Sequence, residues 1–211
     1  SELAKKAALA AGDFINKELT ELKKTKTFIQ VSSKSSGENL ASQVVTQVDI
    51  SAQKIILNTL ESSITQFDLG ILTEESMDDN SRHQKELFWC IDPLDGTLPF
   101  IEQSSGYAVS VALVSQKGIP MIGVVFDPVT QNLYSAVYKM GASKNNSPWG
   151  VPNSDSLNIQ STTQNTLHFI HDRSFLKHSR YKEVLAKLNS LVHQGEYSQL
   201  KVISHGGAVM N

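Results

Sequence analysis

Between Tyr107 and Tyr138 three apolar runs, Tyr107 to Val114, Met121 to Phe126 and Leu133 to Tyr138, are parted only by the turn sequences around Gln116-Lys117-Gly118 and Asp127-Pro128. Connections this short cannot carry the chain back to start a parallel neighbour, so the three strands form an antiparallel meander. Helical patterns stand before it. Leu3, Ala7, Ala10, Ala11, Phe14, Ile15 and Leu19 recur at helical spacing and predict a long first helix over 2–24, and Ala52, Ile55, Ile56, Thr59 and Leu60 predict a second from about 51 to 63. The Ser-rich residues 30–42, with Gly37, read as a loop. Gly141 to Asn153, rich in Gly, Asn, Ser and Pro, reads as a boundary loop. Beyond it a strand near 166–170, a helix from about 174 to 193 and a strand near 200–204 begin a second α/β unit. The expected division is therefore residues 1–145, carrying the meander, and 146–211, the start of a further domain.

Just before the meander, the apolar run Leu87-Phe88-Trp89-Cys90-Ile91 opens into Asp92-Pro93-Leu94-Asp95-Gly96-Thr97. A hard divalent cation takes oxygen ligands from carboxylates, carbonyls and water, and shares its remaining positions with substrate phosphate. Asp92 and Asp95 supply the carboxylates, Pro93 stiffens the turn between them, and the Leu94 carbonyl is a further hard oxygen. Gly96 lets the backbone approach an anion. Thr97 suits an N-cap and Pro99 the first turn of a helix, with Phe100 and Ile101 for such a helix to bury. Asp-Pro and Asp-Gly are also ordinary turn formers, but five specified residues at fixed spacing are more than turn chemistry asks for.

Two further acidic elements lie upstream. Ile71-Leu72-Thr73 runs into Glu74-Glu75-Ser76, where neighbouring strand residues point to opposite faces, so only one of the two glutamates can be a direct metal ligand unless the strand has ended. Asp49 closes the apolar stretch Val44-Val45-Thr46-Gln47-Val48 and precedes the second helical pattern, which by itself is the pattern of an N-cap. Each of the three elements places a carboxylate at the end of an apolar segment, where strand ends converge on a site.

The segments Val45-Thr46-Gln47-Val48-Asp49, Glu74-Glu75-Ser76, Trp89 to Thr97 and Gly123-Val124-Val125-Phe126-Asp127-Pro128, in that order, resemble the successive signatures of the inositol monophosphatase family. That family belongs to a superfamily of Mg2+-dependent, lithium-sensitive phosphatases that also holds the 3'(2'),5'-bisphosphate nucleotidases and the fructose-1,6-bisphosphatases. The resemblance implies an α/β (α+β) fold, a layered αβαβα sandwich whose C-terminal part is incomplete here. It implies that Glu74, Asp92 and the Leu94 carbonyl hold one Mg2+, and that Asp92 and Asp95 share a second. Glu74 and Thr97 would orient and help deprotonate the attacking water, Asp49 would support them, and Glu75 would stand behind the ligands. Asp95, Gly96 and Thr97 would bind the phosphate. The activity implied is hydrolysis of a small phosphorylated metabolite by direct water attack within a two-metal clamp, with no covalent phosphoenzyme. Inositol monophosphate comes first as substrate. The alternative is 3'-phosphoadenosine 5'-phosphate, and an inactive relative that binds phosphate or metal stands as a reading of another class. Family members are commonly homodimers, which makes a homodimer the expectation.

Three departures accompany the resemblance. Leu98-Pro99-Phe100 replaces the Asn-Phe or Glu-Phe that often follows the threonine, and Ser204-His205-Gly206-Gly207-Ala208 stands where a Gly-Ser-Ala-like helix start is usual. The final Trp-Asp signature, which in the family supplies another carboxylate to the second metal, is absent up to Asn211: either the sequence stops early or this chain does not hold the second ion as its relatives do.

Composition narrows the remaining classes. With 19 basic against 21 acidic side chains, and no dense basic cluster beyond Lys23, Lys24 and Lys26, the chain is not expected to bind nucleic acid polymers. One cysteine precludes an internal disulfide framework and fits a reducing cytoplasm, the expected location. No stretch approaches the ~20 apolar residues of a membrane span, so no membrane association is expected. Six scattered histidines without a cysteine partner do not make a zinc site, and neither a Gly-x-Ser-x-Gly elbow nor a Walker A loop is present. His171-Asp172-Arg173 reads first as a capping turn and second as a contact for another phosphate.

Overall fold

The structure, a computed structural model, describes residues 1–24, 40–149 and 165–205. Helix α1 (Glu2–Lys24) matches the predicted span, and its inward stripe is Ala4, Ala7, Ala8, Ala11, Gly12, Ile15 and Leu19. Side chains this small bring the helix axis close to the sheet beneath. Helix α2 (Leu40–Phe67) is longer than the spacing predicts. The expected loop at 30–42 lies outside the described residues except at its end, where residues 40–42 are already helical. Asp49 therefore neither ends a strand nor caps a helix; it sits inside α2. The β-branched run before it is helical because Val45, Val48, Ala52, Ile56 and Leu60 bury one face of the helix in the core, and that burial outweighs the modest intrinsic preference of valine for strands.

A seven-stranded sheet runs in sequence order: β1 (Gly70–Thr73), β2 (Leu87–Asp95), β3 (Ala108–Ser115), β4 (Pro120–Asp127), β5 (Asn132–Val137), β6 (Gly141–Lys144) and β7 (Ser147–Trp149). The meander β3–β4–β5 is antiparallel, as expected. Only β1 runs parallel to its neighbour, with Gly70 opposite Phe88 and Thr73 opposite Ile91. The crossover between these two strands holds a 3-10 turn, Ser81–His83. Part of the boundary loop read at Gly141 to Asn153 is instead the hairpin β6–β7, turning on Asn145 and Asn146 with φ of 49° and 63°. Two consecutive asparagines with positive φ are what a tight two-residue hairpin requires.

Both long helices pack on one face of this sheet, α1 over β3 and β4 and α2 over β2. Trp89, Ile91, Val109, Val111, Val124, Phe126 and Leu133 rise from that face to meet them. Trp89 is held by its indole N–H, which donates to Ser63 Oγ of α2 at 3.1 Å. Tyr107 is fully enclosed, edge-on to Phe100 with ring centres 5.5 Å apart. Burial and the nearby Asp127 carboxylate push its phenol up to about 12.

A parallel pair, β8 (Thr166–Asp172) and β9 (Gln199–His205), flanks a 3-10 turn (Arg173–Lys177) and the helix α4 (Tyr181–His193). The helix begins later than the predicted 174, because the chain first makes that tighter turn. The strand–helix–strand order is the one read from the sequence. The ring of His171 is buried among Phe169, Phe175 and Tyr181, an environment of packing rather than of phosphate. Among the described residues no helix is long and apolar enough to cross a membrane.

Candidate active site

Because β1 and β2 are parallel and in register through Thr73 and Ile91, the residues that follow each, Glu74 and Asp92, arrive side by side. The Glu74 N–H still donates to the Ile91 carbonyl at 3.2 Å, the last rung of the ladder. The Glu74 carboxyl is hydrogen-bonded to that of Asp92. Burial, that hydrogen bond, and the charges of Glu74 and Asp95 hold Asp92 well above the usual carboxylate range, opposed only by the Leu94 N–H. That N–H donates to Asp92 Oδ1 at 3.1 Å, closing a short loop across Pro93.

The motif is not a simple turn after a strand, as its composition suggests. Residues Asp92 to Asp95 continue β2, and the pairing with β3 shifts between Asp92 and Asp95. Such a bulge re-aims side chains at a strand end, here bringing Asp95 within electrostatic reach of Asp92. Helix α3 (Thr97–Ile101) follows, and its N-cap is Gly96 at φ 91° and ψ 48° rather than Thr97. Thr97 is the first helical residue and is exposed. The left-handed backbone at this position explains the glycine. Phe100 is buried as anticipated, Pro99 is buried with it, and Ile101 is half-buried.

Asp49 enters from α2 and is only 6% exposed. Burial, then the charges of Glu75 and Glu74, raise its carboxyl to about 7. Glu75 is also raised, by burial and by Glu74. The two glutamates, just past the end of β1, have different neighbours: Glu74 bonds Asp92, while Glu75 acts more strongly on Asp49.

The structure thus brings Asp49, Glu74, Glu75, Asp92 and Asp95 into one electrostatic neighbourhood, with Leu94, Gly96 and Thr97 in the turn between and after them. Among the described residues no three His, Cys, Asp or Glu side chains close around a point tightly enough to enclose a metal ion. The donor set nonetheless fits a hard divalent cation: it is all oxygen, mostly carboxylate, and no cationic side chain offsets the burial and like charge that disfavour ionisation of Asp49 and Asp92. Carboxyls crowded in this way are the groups a cation would draw into their charged form. Gly206 to Ala208 lie outside the described residues.

No motif in the sequence marks Gln53, which lies one turn past Asp49 on α2 and contacts the Glu75-Ser76 segment. Nor does the sequence point to a groove of about 800 Å³ at the opposite end of the same elements, floored by Trp89, Leu113 and Ile122 between Leu3 of α1 and Phe67 of α2. None of the carboxylates described above lines it.

The family model described as the inositol monophosphatase family matches residues 1–211. The chain belongs to the inositol monophosphatase family. Among curated relatives it is 36% identical over 143 residues to Nus factor SuhB of Escherichia coli (strain K12), a match covering 68% of this chain and 49% of SuhB. It is 38% identical over 93 residues to the 3'(2'),5'-bisphosphate nucleotidase CysQ of Salmonella typhimurium (strain LT2), covering 44% and 37% of the two chains. The match spans about half the length of SuhB and less of CysQ. Among solved structures, inositol monophosphatase-II of Staphylococcus aureus MSSA476 superposes with a TM-score of 0.69 at 22% identity, over 98% of this chain and 67% of that one. The fold is the mixed α/β sandwich of this family, with a short C-terminal part.

Proposed function

We propose that this chain carries the metal- and phosphate-binding part of a Mg2+-dependent phosphomonoesterase acting on a small phosphorylated metabolite. The observation that carries the reading is the pairing of Glu74 with Asp92 at the ends of two parallel strands, beside the bulge that delivers Asp95-Gly96-Thr97. In this reading Glu74, Asp92, Asp95 and the Leu94 carbonyl hold Mg2+, which when bound supplies positive charge to the phosphate and acidifies a coordinated water.

The chain's own groups account for the rest. Glu74 and the Thr97 hydroxyl orient the attacking water, with Glu74 accepting its proton and Asp49 supporting that network from α2. Gly96, lacking a side chain, admits the phosphate to the backbone of the turn. Because water attacks phosphorus directly, no side chain becomes covalently modified. Residues from 146 onward form the start of a second unit that completes the substrate pocket in this reading, and the protein works as a homodimer in the cytoplasm.

Inositol monophosphate is the first substrate. The family supports it, and a structure of SaIMPase-II carries inositol monophosphate. A 3'(2'),5'-bisphosphate nucleotide is the second, favoured by the likeness to CysQ and by 2'AMP in another SaIMPase-II structure. The deciding experiment is phosphate release with and without Mg2+ on inositol 1-phosphate and 3'-phosphoadenosine 5'-phosphate side by side. Preference for one identifies the substrate class. Silence on both, with Mg2+ binding retained, points to a ligand-binding protein or to a sugar phosphate as substrate.

A further inference from the structure

Gln53 is a buried amide, 5% exposed, on the same face of α2 as Asp49, one turn later. Its Nε2 donates to Ser76 Oγ at 2.7 Å, and its Oε1 accepts the Glu75 N–H at 3.2 Å. Strand β1 has ended at Thr73, and Glu74 makes the last backbone bond to β2. From Glu75 onward the chain has left the ladder, and α2, through this one side chain, takes the place of a neighbouring strand.

The need for such a tie follows from charge. Glu75 and Glu74 lie close enough to Asp49 to act on it by charge, so like-charge repulsion drives the acidic segment away from the helix. An amide holds it without adding to that charge, and it offers both a donor and an acceptor; a carboxylate offers acceptors alone.

We propose that Gln53 is a positioning residue for the metal ligands: by fastening Glu75-Ser76 to the helix that bears Asp49, it keeps Glu74 aligned with Asp92. The inference rests on the reading of Glu74, Asp92 and Asp95 as Mg2+ ligands. Gln53 itself touches neither the ion nor the substrate.

The test is calorimetric titration of Mg2+ into the protein and into Gln53→Met, Ser76→Ala and Asp95→Asn, with the thermal midpoint of each recorded in EDTA. Gln53→Met keeps most of the volume and removes both bonds. It is expected to weaken Mg2+ binding about tenfold or more, as loss of a residue supporting a metal ligand does. Ser76→Ala, at an exposed position, removes one bond and is expected to weaken binding several-fold with a nearly unchanged midpoint. If Gln53→Met does not fold, Ser76→Ala decides. Unchanged Mg2+ affinity in these variants, with or without a lower midpoint in EDTA, overturns the positioning role while loss of binding in Asp95→Asn leaves the metal site standing. Absence of Mg2+ binding in the unaltered protein, or undiminished binding in Asp95→Asn, overturns the metal reading and this inference with it.

Discussion

Asp95 occupies the position where one oxygen-bearing charge decides most. It stands on the shifted register at the end of β2, near enough to raise Asp92 by its charge. Asp95→Asn keeps the shape and removes that charge. Metal-ligand interactions are worth several kcal/mol in the transition state, so Mg2+-dependent phosphate release should fall at least about 100-fold. Circular dichroism and the unfolding midpoint should change little, and unaltered turnover would discard the assignment. Asp49 gives a second prediction. Its carboxyl, ordinarily near 3.8, is raised to about 7 in the fold. Between those values the folded state holds a proton that the unfolded chain has released, so the slope of stability against pH is negative there. The metal-free protein should lose stability as pH rises from about 4 to about 7, seen as a lower urea midpoint at pH 8 than at pH 5. Mg2+ should narrow the gap, because a cation replaces the missing proton as counter-charge.

Helix α1 lies close to the sheet because its inward residues are small. A Cβ on Gly12 would meet the Phe126 ring at 2.3 Å, and that ring is buried. Alanine is the better helix former by about 1 kcal/mol, but overpacking costs about 1–3 kcal/mol. Gly12→Ala should therefore destabilise the protein by up to about 2 kcal/mol in urea unfolding; a rise in stability would show that the helix can lift from β4. The elements also show what the sequence makes legible. α1 and the meander could be read directly, since a strong 3.6-residue stripe and tight turns admit few alternatives. Asp92 to Thr97 could be read as a site because several residue types needed for one chemistry are adjacent. α2 is longer than its local pattern suggests because Val45 and Val48 favour strands locally, and only burial against the core reveals their helical face. The β6–β7 hairpin hid behind loop-like composition, although Asn145-Asn146 carried its signal. Gln53 could not be found at all, since its partners lie more than 20 residues away.

At the scale of the whole molecule the carboxylate cluster is drawn from three separated parts of the chain: Asp49 on α2, Glu74-Glu75 after β1, and Asp92 and Asp95 on β2. If these hold Mg2+ only when folded, the ion must stabilise the fold by mass action, by about 2.7 kcal/mol at a hundredfold excess over its dissociation constant. The thermal midpoint should then rise with Mg2+ concentration in the unaltered protein and stay flat in Asp95→Asn. Lithium should inhibit phosphate release most strongly at low Mg2+, and indifference to lithium would count against the family's pattern of ion occupancy. Strand β1, four residues long, is the one parallel member of its sheet. Strand residues advance about 3.3 Å each and alternate in direction. A slip of a single rung would carry Glu74 that distance from Asp92, turn it to the other side, and present Glu75 or Thr73 in its place. The acid–base identity of the site is thus a matter of alignment tolerance in a very short strand. At Gly70 an added Cβ would lie 2.9 Å from the backbone of Ser81 and Arg82, so a slip that put Leu69 or Ile71 there would meet that backbone. Chemistry at one end of the sheet is indexed, like a ratchet, by a contact at the other.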